Sequence, residues 1–171
     1  MNDTWLTELR EFIAIPSVSA DPAHQDDLRR AAEWVRDFVK RTGGEAELVP
    51  KGTRDLVIGD IPANSNGGRA PTVLIYGHFD VQPPAPLDLW ESPPFELDER
   101  DGWFYARGIA DDKGQLYTLL DIRGAEPGLF VQRASAFFFE RSQNPTASGI
   151  GNGVQKAIQI GSGVSHEIGN W

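Results

Sequence analysis

The spacing of apolar side chains in the N-terminal part of the chain predicts two amphipathic helices. From residue 4 to residue 14 the apolar residues recur every three or four positions, and Pro16 closes the segment. A second helix is predicted from about His24 to Arg41, with Gly43 and Gly44 supplying its C-terminal stop. The first helix would bury Trp5, Leu6, Leu9, Phe12 and Ile13, and the second Leu28, Ala31, Ala32, Val35, Phe38 and Val39.

Beyond these helices the pattern changes to short β-type runs. Strands are predicted at Glu45–Val49, Asp55–Ile61 and Thr72–Tyr76. The third run is continuously apolar, which is typical of a central strand that is buried on both faces of a sheet. His78 then follows the carboxyl end of that strand, where open α/β sheets place ligands.

A hairpin and a further helix complete the regular pattern. Phe95–Leu97 and Trp103–Ala106 flank an Asp-Gly pair at 101–102, which predicts a two-residue turn. Lys113–Leu120 has the composition of a helix start. The order of helices, strands, a loop and a helix predicts an α/β sandwich.

Composition and charge exclude several classes of function. The chain has no cysteine, so a disulfide framework and thiolate ligands are excluded and any metal would be held by His, Asp and Glu. The net charge of −9 disfavours nucleic acid and anionic membrane surfaces as partners. The charged N-terminus and the lack of a long apolar run predict neither a signal peptide nor a membrane span, with a cytoplasmic location as the default.

The chain changes character near Asp121. Residues 1–120 hold 21 of the 25 acidic and 12 of the 16 basic residues, whereas residues 121–171 hold four of each and 8 of the 18 glycines. We therefore expect two regions, an α/β region at 1–120 and a divergent Gly-rich tail at 121–171 that is truncated or frameshifted.

Candidate chemistry lies between the third strand and the last helix. His78 and Asp80 alternate at a strand end, so their side chains point the same way, and Asp111 and Asp112 follow about thirty residues later. Imidazole and carboxylate groups in this arrangement indicate a metal site. Taken singly, His78 could be a hydrogen-bonded histidine at a strand end, and the two aspartates could be solvated surface acids.

Three motifs in order decide between these interpretations. GHFDVQP, LWESPPFEL and ARGIADDKG together resemble the first half of the active site of the M20 family of di-zinc metallopeptidases, and the resemblance runs from about Trp5 to about Leu120. It implies a three-layer α/β/α sandwich. Family members are often dimers and are much longer than 171 residues, so the lid or dimerisation domain is expected to be absent here.

The resemblance also assigns roles to residues. It implies that His78 ligates one zinc, that Asp111 bridges two zincs, and that Asp80 orients His78. It implies a cis peptide bond between Asp111 and Asp112. Lys113 is expected to pair with a nearby acid, and Gly77, Gly108 and Gly114 to allow close backbone packing.

The chain departs from the family pattern after Asp121. The family's general base is a Glu beside a Glu ligand, and the nearest candidate run here is SAFFFERSQNP, which contains Glu140. In that register the acid pair falls on Gln143 and Asn144, which are neutral and cannot act as a base. His166 and Glu167 come too early for the distant family His and are interpreted as a polar tail.

Two hypotheses follow from this mixture. The first is a metallodipeptidase-like hydrolase that cleaves dipeptides or related N-acyl amide bonds with two zinc ions and a metal-activated water. The alternative is a catalytically inactive remnant that lacks the general-base Glu and several ligands, and binds metal weakly or not at all. A partner chain that supplies the missing Glu and His is a third possibility.

Overall fold

A computed structural model describes residues 4–52, 54–62, 72–121 and 133–138, the last of these as backbone only. These residues contain three α-helices, which are α1 (Thr4–Ile13), α2 (Gln25–Arg41) and α3 (Lys113–Leu120). Short 3-10 helices occupy Pro22–His24 and Leu87–Leu89. The two helices predicted in the N-terminal part are confirmed, and so is the helix from Lys113 to Leu120.

In the described part of the chain, six strands form two sheets. They are β1 (Glu45–Lys51), β2 (Arg54–Ile61), β3 (Thr72–Gly77), β4 (Asp98–Arg100), β5 (Trp103–Tyr105) and β6 (Arg133–Phe138). The larger sheet has the order β1-β2-β6-β3, in which β6 is antiparallel to β2 and parallel to β3. The tail beyond Asp121 therefore contributes a strand to the middle of this sheet.

Helix α2 is the main cover of the sheet. Its charges suit a helix, because Asp26 and Asp27 lie in the first turn and Lys40 and Arg41 in the last, each opposite in sign to the helix dipole there. Gly43 adopts a positive φ of 92°, and the chain then turns into β1. The six apolar residues that the sequence assigns to the buried face of α2 are all buried.

Side chains from all three helices and from one face of the sheet form a single core. At its centre the Trp34 ring stacks on Phe12, with ring centroids 4.2 Å apart, and on Phe38, with centroids 5.1 Å apart. Val57, Ile61 and Ile75 are the sheet's fully or nearly fully buried contributions. Such offset or stacked aromatic contacts add to the stabilisation that burial alone provides.

The environment of β3 differs from the expectation. We expected a central strand that is buried on both faces, yet β3 ends the described sheet order, and Leu74 and Tyr76 are 64% and 61% exposed. The physical reason is that Ile75 and Gly77 face the helices, whereas the alternate residues face away from them. A continuous apolar run therefore does not distinguish a strand that is buried on both faces from a strand that is buried on one face.

The hairpin is present but shifted. Its first strand is Asp98–Arg100 and not Phe95–Leu97, since the turn pairs Arg100 with Trp103. Asp101 and Gly102 both have positive φ, of 52° and 79°, as a two-residue hairpin turn of this kind requires. Among the described residues, no helix is both long and apolar enough to cross a membrane.

Candidate functional site

His78 follows β3 directly, on a loop that a second segment holds in place. Residues 78–80 leave the strand, and Val81 forms an isolated parallel bridge with Val18. The side chains of Phe79 and Val81 are buried, so the loop is anchored on both sides of Asp80. Asp80 is itself only 2% exposed.

The imidazole of His78 lies between two carboxylates. Its Nε2 is 2.9 Å from Oδ1 of Asp111, although 33 residues separate the two positions. Its Nδ1 is 3.0 Å from Oδ1 of Asp80 and 3.1 Å from the Asp80 backbone oxygen. The structure thus brings together the three site residues that the sequence singles out, with Asp80 and Asp111 on opposite ring nitrogens.

This arrangement changes the acidity of His78. Burial alone would lower the pKa of His78, but hydrogen bonds to Asp111 and Asp80, supported by their negative charges, outweigh it and raise the pKa to about 10. In the metal-free protein the imidazole is therefore protonated at neutral pH, and both ring nitrogens donate. A metal ion at either nitrogen has to displace a proton.

Asp112 joins the two parts of the site through the backbone. Its Oδ2 accepts a hydrogen bond of 3.1 Å from the backbone N–H of His78. A Cβ on Gly77 would lie 2.9 Å from that same oxygen, so glycine lets the Asp112 carboxylate keep this position. Burial raises the pKa of Asp112, while the bond from His78 opposes that rise.

Lys113 does not pair with an acid as expected. Its side chain is completely buried, and Nζ donates to the backbone oxygens of Phe12, at 3.0 Å, and Ile15, at 2.6 Å. Its partners are backbone carbonyls at the C-terminal end of α1. The acidic residues next to Lys113 in the sequence do not indicate these partners. Burial lowers the pKa of Lys113 to about 7.

The backbone around these residues is tightly packed. The peptide bond between Asp111 and Asp112 is cis, as the family resemblance implies. A Cβ on Gly114 would lie 2.1 Å from the backbone oxygen of Ile109, which no other residue could tolerate there. The expected role of Gly77 and Gly114 in close packing is confirmed.

Arg107 is a further neighbour of the site, which the sequence does not single out. Its guanidinium carbon lies 5.3 Å from the centroid of the Trp90 ring, and its Nε is buried without a hydrogen-bond partner in the described structure. Burial lowers the pKa of Arg107, and the charge of Asp111 opposes this effect. The RG pair before IADD was the only sequence signal of this position.

The described residues do not contain a complete set of metal ligands. Within 4–52, 54–62, 72–121 and 133–138 there is no group of three or more His, Asp or Glu side chains arranged to hold a metal ion. Glu140, Gln143, Asn144, His166 and Glu167 lie outside the described residues, so their predicted roles stay predictions.

Comparisons with known proteins point to one family. Residues 74–127 match Peptidase family M20/M25/M40. The chain is 38% identical over 115 residues to the cysteinylglycine-S-conjugate dipeptidase of Corynebacterium striatum, which covers 67% of this chain and 25% of that protein. It is 31% identical over 129 residues to the beta-Ala-His dipeptidase of Rattus norvegicus, covering 70% of this chain and 26% of that protein. The chain thus spans about a quarter of the length of these relatives.

Solved structures agree with the sequence relatives. Human carnosine dipeptidase 1 superposes with a TM-score of 0.68 at 27% identity, over 80% of this chain and 31% of that chain. The M20 family metallo-carboxypeptidase of Sulfolobus solfataricus superposes with a TM-score of 0.64 at 26% identity, over 80% of this chain and 30% of that chain. The fold is therefore α/β, with the architecture of the corresponding part of these peptidases. By sequence and by structure, the chain belongs to peptidase family M20/M25/M40, a family of hydrolases.

Proposed function

We propose that the protein is a metallodipeptidase that hydrolyses dipeptides or related N-acyl amide bonds, with His78 and Asp111 as metal ligands. The observation that carries this proposal is the distance of 2.9 Å between His78 Nε2 and Asp111 Oδ1. Two such donors, adjacent in space and 33 residues apart in sequence, provide one nitrogen and one carboxylate to a common ion.

The chemistry of the donor set fits zinc. Imidazole nitrogen and carboxylate oxygen are both common zinc donors. A ligating histidine commonly has a carboxylate hydrogen-bonded to its other ring nitrogen. Asp80 supplies this carboxylate, with Oδ1 3.0 Å from Nδ1 of His78. Two zinc ions, when bound, would lower the pKa of a shared water and polarise the substrate carbonyl.

The chain's own residues prepare the site for that role. Asp80, which is almost completely buried, fixes the ring orientation of His78 through Nδ1, so that Nε2 is the nitrogen presented to Asp111. Asp112 fixes the backbone of His78 through its N–H. The remaining ligands and the general base would come from residues outside the described part of the chain, or from more of the protein.

The names of relatives suggest the substrate class. The relatives in Corynebacterium striatum and Rattus norvegicus are a cysteinylglycine-S-conjugate dipeptidase and a beta-Ala-His dipeptidase. We extend to this protein only what these names share, namely a small peptide substrate. With a net charge of −9, nucleic acid is a poor candidate for a partner.

The exposed face of the larger sheet supports a third layer in the complete fold. Leu74 and Tyr76 are large apolar side chains on the face opposite to the helices. We propose that further chain covers this face and completes a three-layer α/β/α sandwich, in which residues 1–120 are the N-terminal part of the catalytic domain and residues 121–171 a divergent tail that supplies β6. If such a layer forms, Leu74→Ser should lower the free energy of unfolding by roughly 1 to 2 kcal/mol. An unchanged unfolding curve would argue against a covering layer.

Hydrolysis assays test the proposed activity. The purified chain, with added zinc, should release free amino acids from beta-alanyl-histidine or cysteinylglycine, and Asp111→Ala should abolish the release. Asp26→Ala is the matched control, since Asp26 is an exposed acid on α2, and it should leave the rate unchanged. The absence of product, together with weak zinc binding or none, would identify the chain as the non-catalytic remnant.

A further inference from the structure

One short segment touches both loops of the candidate site. Residues 12–19 comprise the end of α1 and the turn that follows it on the way to α2. Within it, Pro16 follows the end of α1. In the structure, the segment is buried at four of its apolar positions and at Ser17 and Ser19 as well.

Ser17 binds the loop that carries His78 and Asp80. Its Oγ donates a hydrogen bond of 2.6 Å to the backbone oxygen of Phe79, across 62 residues of sequence. Its backbone oxygen accepts a bond of 2.9 Å from the N–H of Val81. The backbone on both sides of Asp80 is thereby tied to one residue, and Ser17 is completely buried.

Lys113 binds the same segment from the other loop. Its two hydrogen bonds end on Phe12 and Ile15, 101 and 98 residues away, and Lys113 follows Asp111 by two positions. Its Nζ also lies 5.0 Å from the centroid of the Phe12 ring. Residues 12–19 therefore hold the loop of His78 through Ser17 and the loop of Asp111 through Lys113.

Neither Ser17 nor Lys113 makes a hydrogen bond to His78, Asp80 or Asp111 through its side chain in the described structure. Burying a hydroxyl and an ammonium group is costly, and both donate their side-chain hydrogen bonds to backbone carbonyls. An apolar side chain of similar volume would fill either position without that cost. What the polar groups add is directional contact to two particular loops.

We propose that Ser17 and Lys113 are positioning residues, which set the separation of His78 and Asp111 by tying their loops to residues 12–19. The role assigned here rests on the proposed metal site, because the purpose of the spacing is to present two ligands to one ion. The geometry itself does not depend on that role, since His78 contacts both Asp80 and Asp111 directly.

The test compares three variants of the full chain: Ser17→Ala, Lys113→Met and Ser19→Ala. Ser19 is the matched control, because it lies in the same turn, is also buried, and its Oγ has no hydrogen-bond partner in the described structure. Ser17→Ala is the milder of the two test variants, so it keeps the experiment decisive if Lys113→Met fails to fold. Circular dichroism establishes that each variant is folded.

The first readout needs no metal. Proton NMR of the metal-free protein should show downfield, slowly exchanging imidazole N–H signals from His78. Ser17→Ala and Lys113→Met should broaden or remove these signals while the fold persists, and Ser19→Ala should retain them. Folded Ser17→Ala protein whose His78 signals match those of the wild type would overturn the proposal.

The second readout is the titration of each variant with Co²⁺, followed by visible absorption. Weakening of cobalt affinity by roughly 10 to 100-fold in the two test variants, with an unchanged value for Ser19→Ala, is the expected result. If the wild type binds no cobalt, the proposed function fails, and the NMR signals still decide whether Ser17 and Lys113 position the two loops.

Discussion

Asp112 accepts a hydrogen bond from the backbone N–H of His78, 34 residues earlier in the chain, at 3.1 Å. The bond joins the start of α3 to the end of β3, so the backbone of one proposed metal ligand is fixed by the neighbour of the other. Gly77 makes room for it, since a Cβ there would lie 2.9 Å from the accepting oxygen. The site is thus assembled by contacts that connect the end of a strand to the start of a helix.

A pair of substitutions tests this connection. Asp112→Asn keeps an oxygen that can accept from His78 and removes a charge that burial disfavours, because burial raises the pKa of Asp112. We expect it to change the free energy of unfolding little. Asp112→Ala leaves the buried N–H without its partner and should cost roughly 1 to 3 kcal/mol. Urea unfolding measures both, and equal losses would show that the hydrogen bond is not what Asp112 contributes.

The pH dependence of the metal-free protein is a second prediction. The pKa of His78 rises from 6.5 in the unfolded chain to about 10 in the folded protein. The protonated His78 side chain therefore stabilises the fold fully below pH 6.5, and this stabilisation is lost as the pH rises towards 10. The pKa of Lys113 falls from 10.5 in the unfolded chain to about 7 in the folded protein. The burial of Lys113 therefore destabilises the fold fully below pH 7, and this destabilisation disappears as the pH rises towards 10.5. Between pH 7 and 10 the two effects oppose each other, and stability should be nearly flat.

Two variants separate these opposing effects. With chelator present, His78→Gln should gain stability from pH 7 to 10, and Lys113→Met should lose it, each by up to about 1.4 kcal/mol per pH unit. Lys40→Met, at an exposed lysine of α2, serves as the control and should follow the wild type. If all four proteins gave parallel curves, the assigned pKa values of His78 and Lys113 would be wrong.

Asp80 should matter to metal affinity more than to folding. Asp80→Asn keeps the volume of the side chain and an oxygen near Nδ1, but removes the charge that supports the imidazole. We expect zinc affinity to fall by roughly 10 to 100-fold. Competition with a chromophoric chelator measures this change, and an affinity equal to that of the wild type would remove the orienting role.

The local pattern of the chain predicts its local structure well. The buried faces of α1 and α2 follow from the spacing of residues such as Leu9, Phe12 and Val35, because helix periodicity alone decides which positions share a face. His78, Asp80 and Asp111 could be selected because three motifs fall in the order typical of a known family. These residues do lie together.

The non-local features could not be predicted. Nothing in the sequence pairs β6 with both β2 and β3, since strand order depends on contacts between distant segments. Lys113 was expected to find a carboxylate, but its partners are carbonyl groups that every residue carries, and composition cannot identify them. Ser17 was overlooked for the same reason, because its partner is the backbone of Phe79.

The most direct test of the metal site is a calorimetric zinc titration of the full chain at pH 7.5, in two buffers with different ionisation enthalpies. Because His78 is protonated in the metal-free protein, zinc should bind with release of about one proton, and His78→Gln should lose both the binding and the proton release. Zinc binding by His78→Gln with wild-type affinity and wild-type proton release would contradict the account, as would a wild-type chain that binds no zinc.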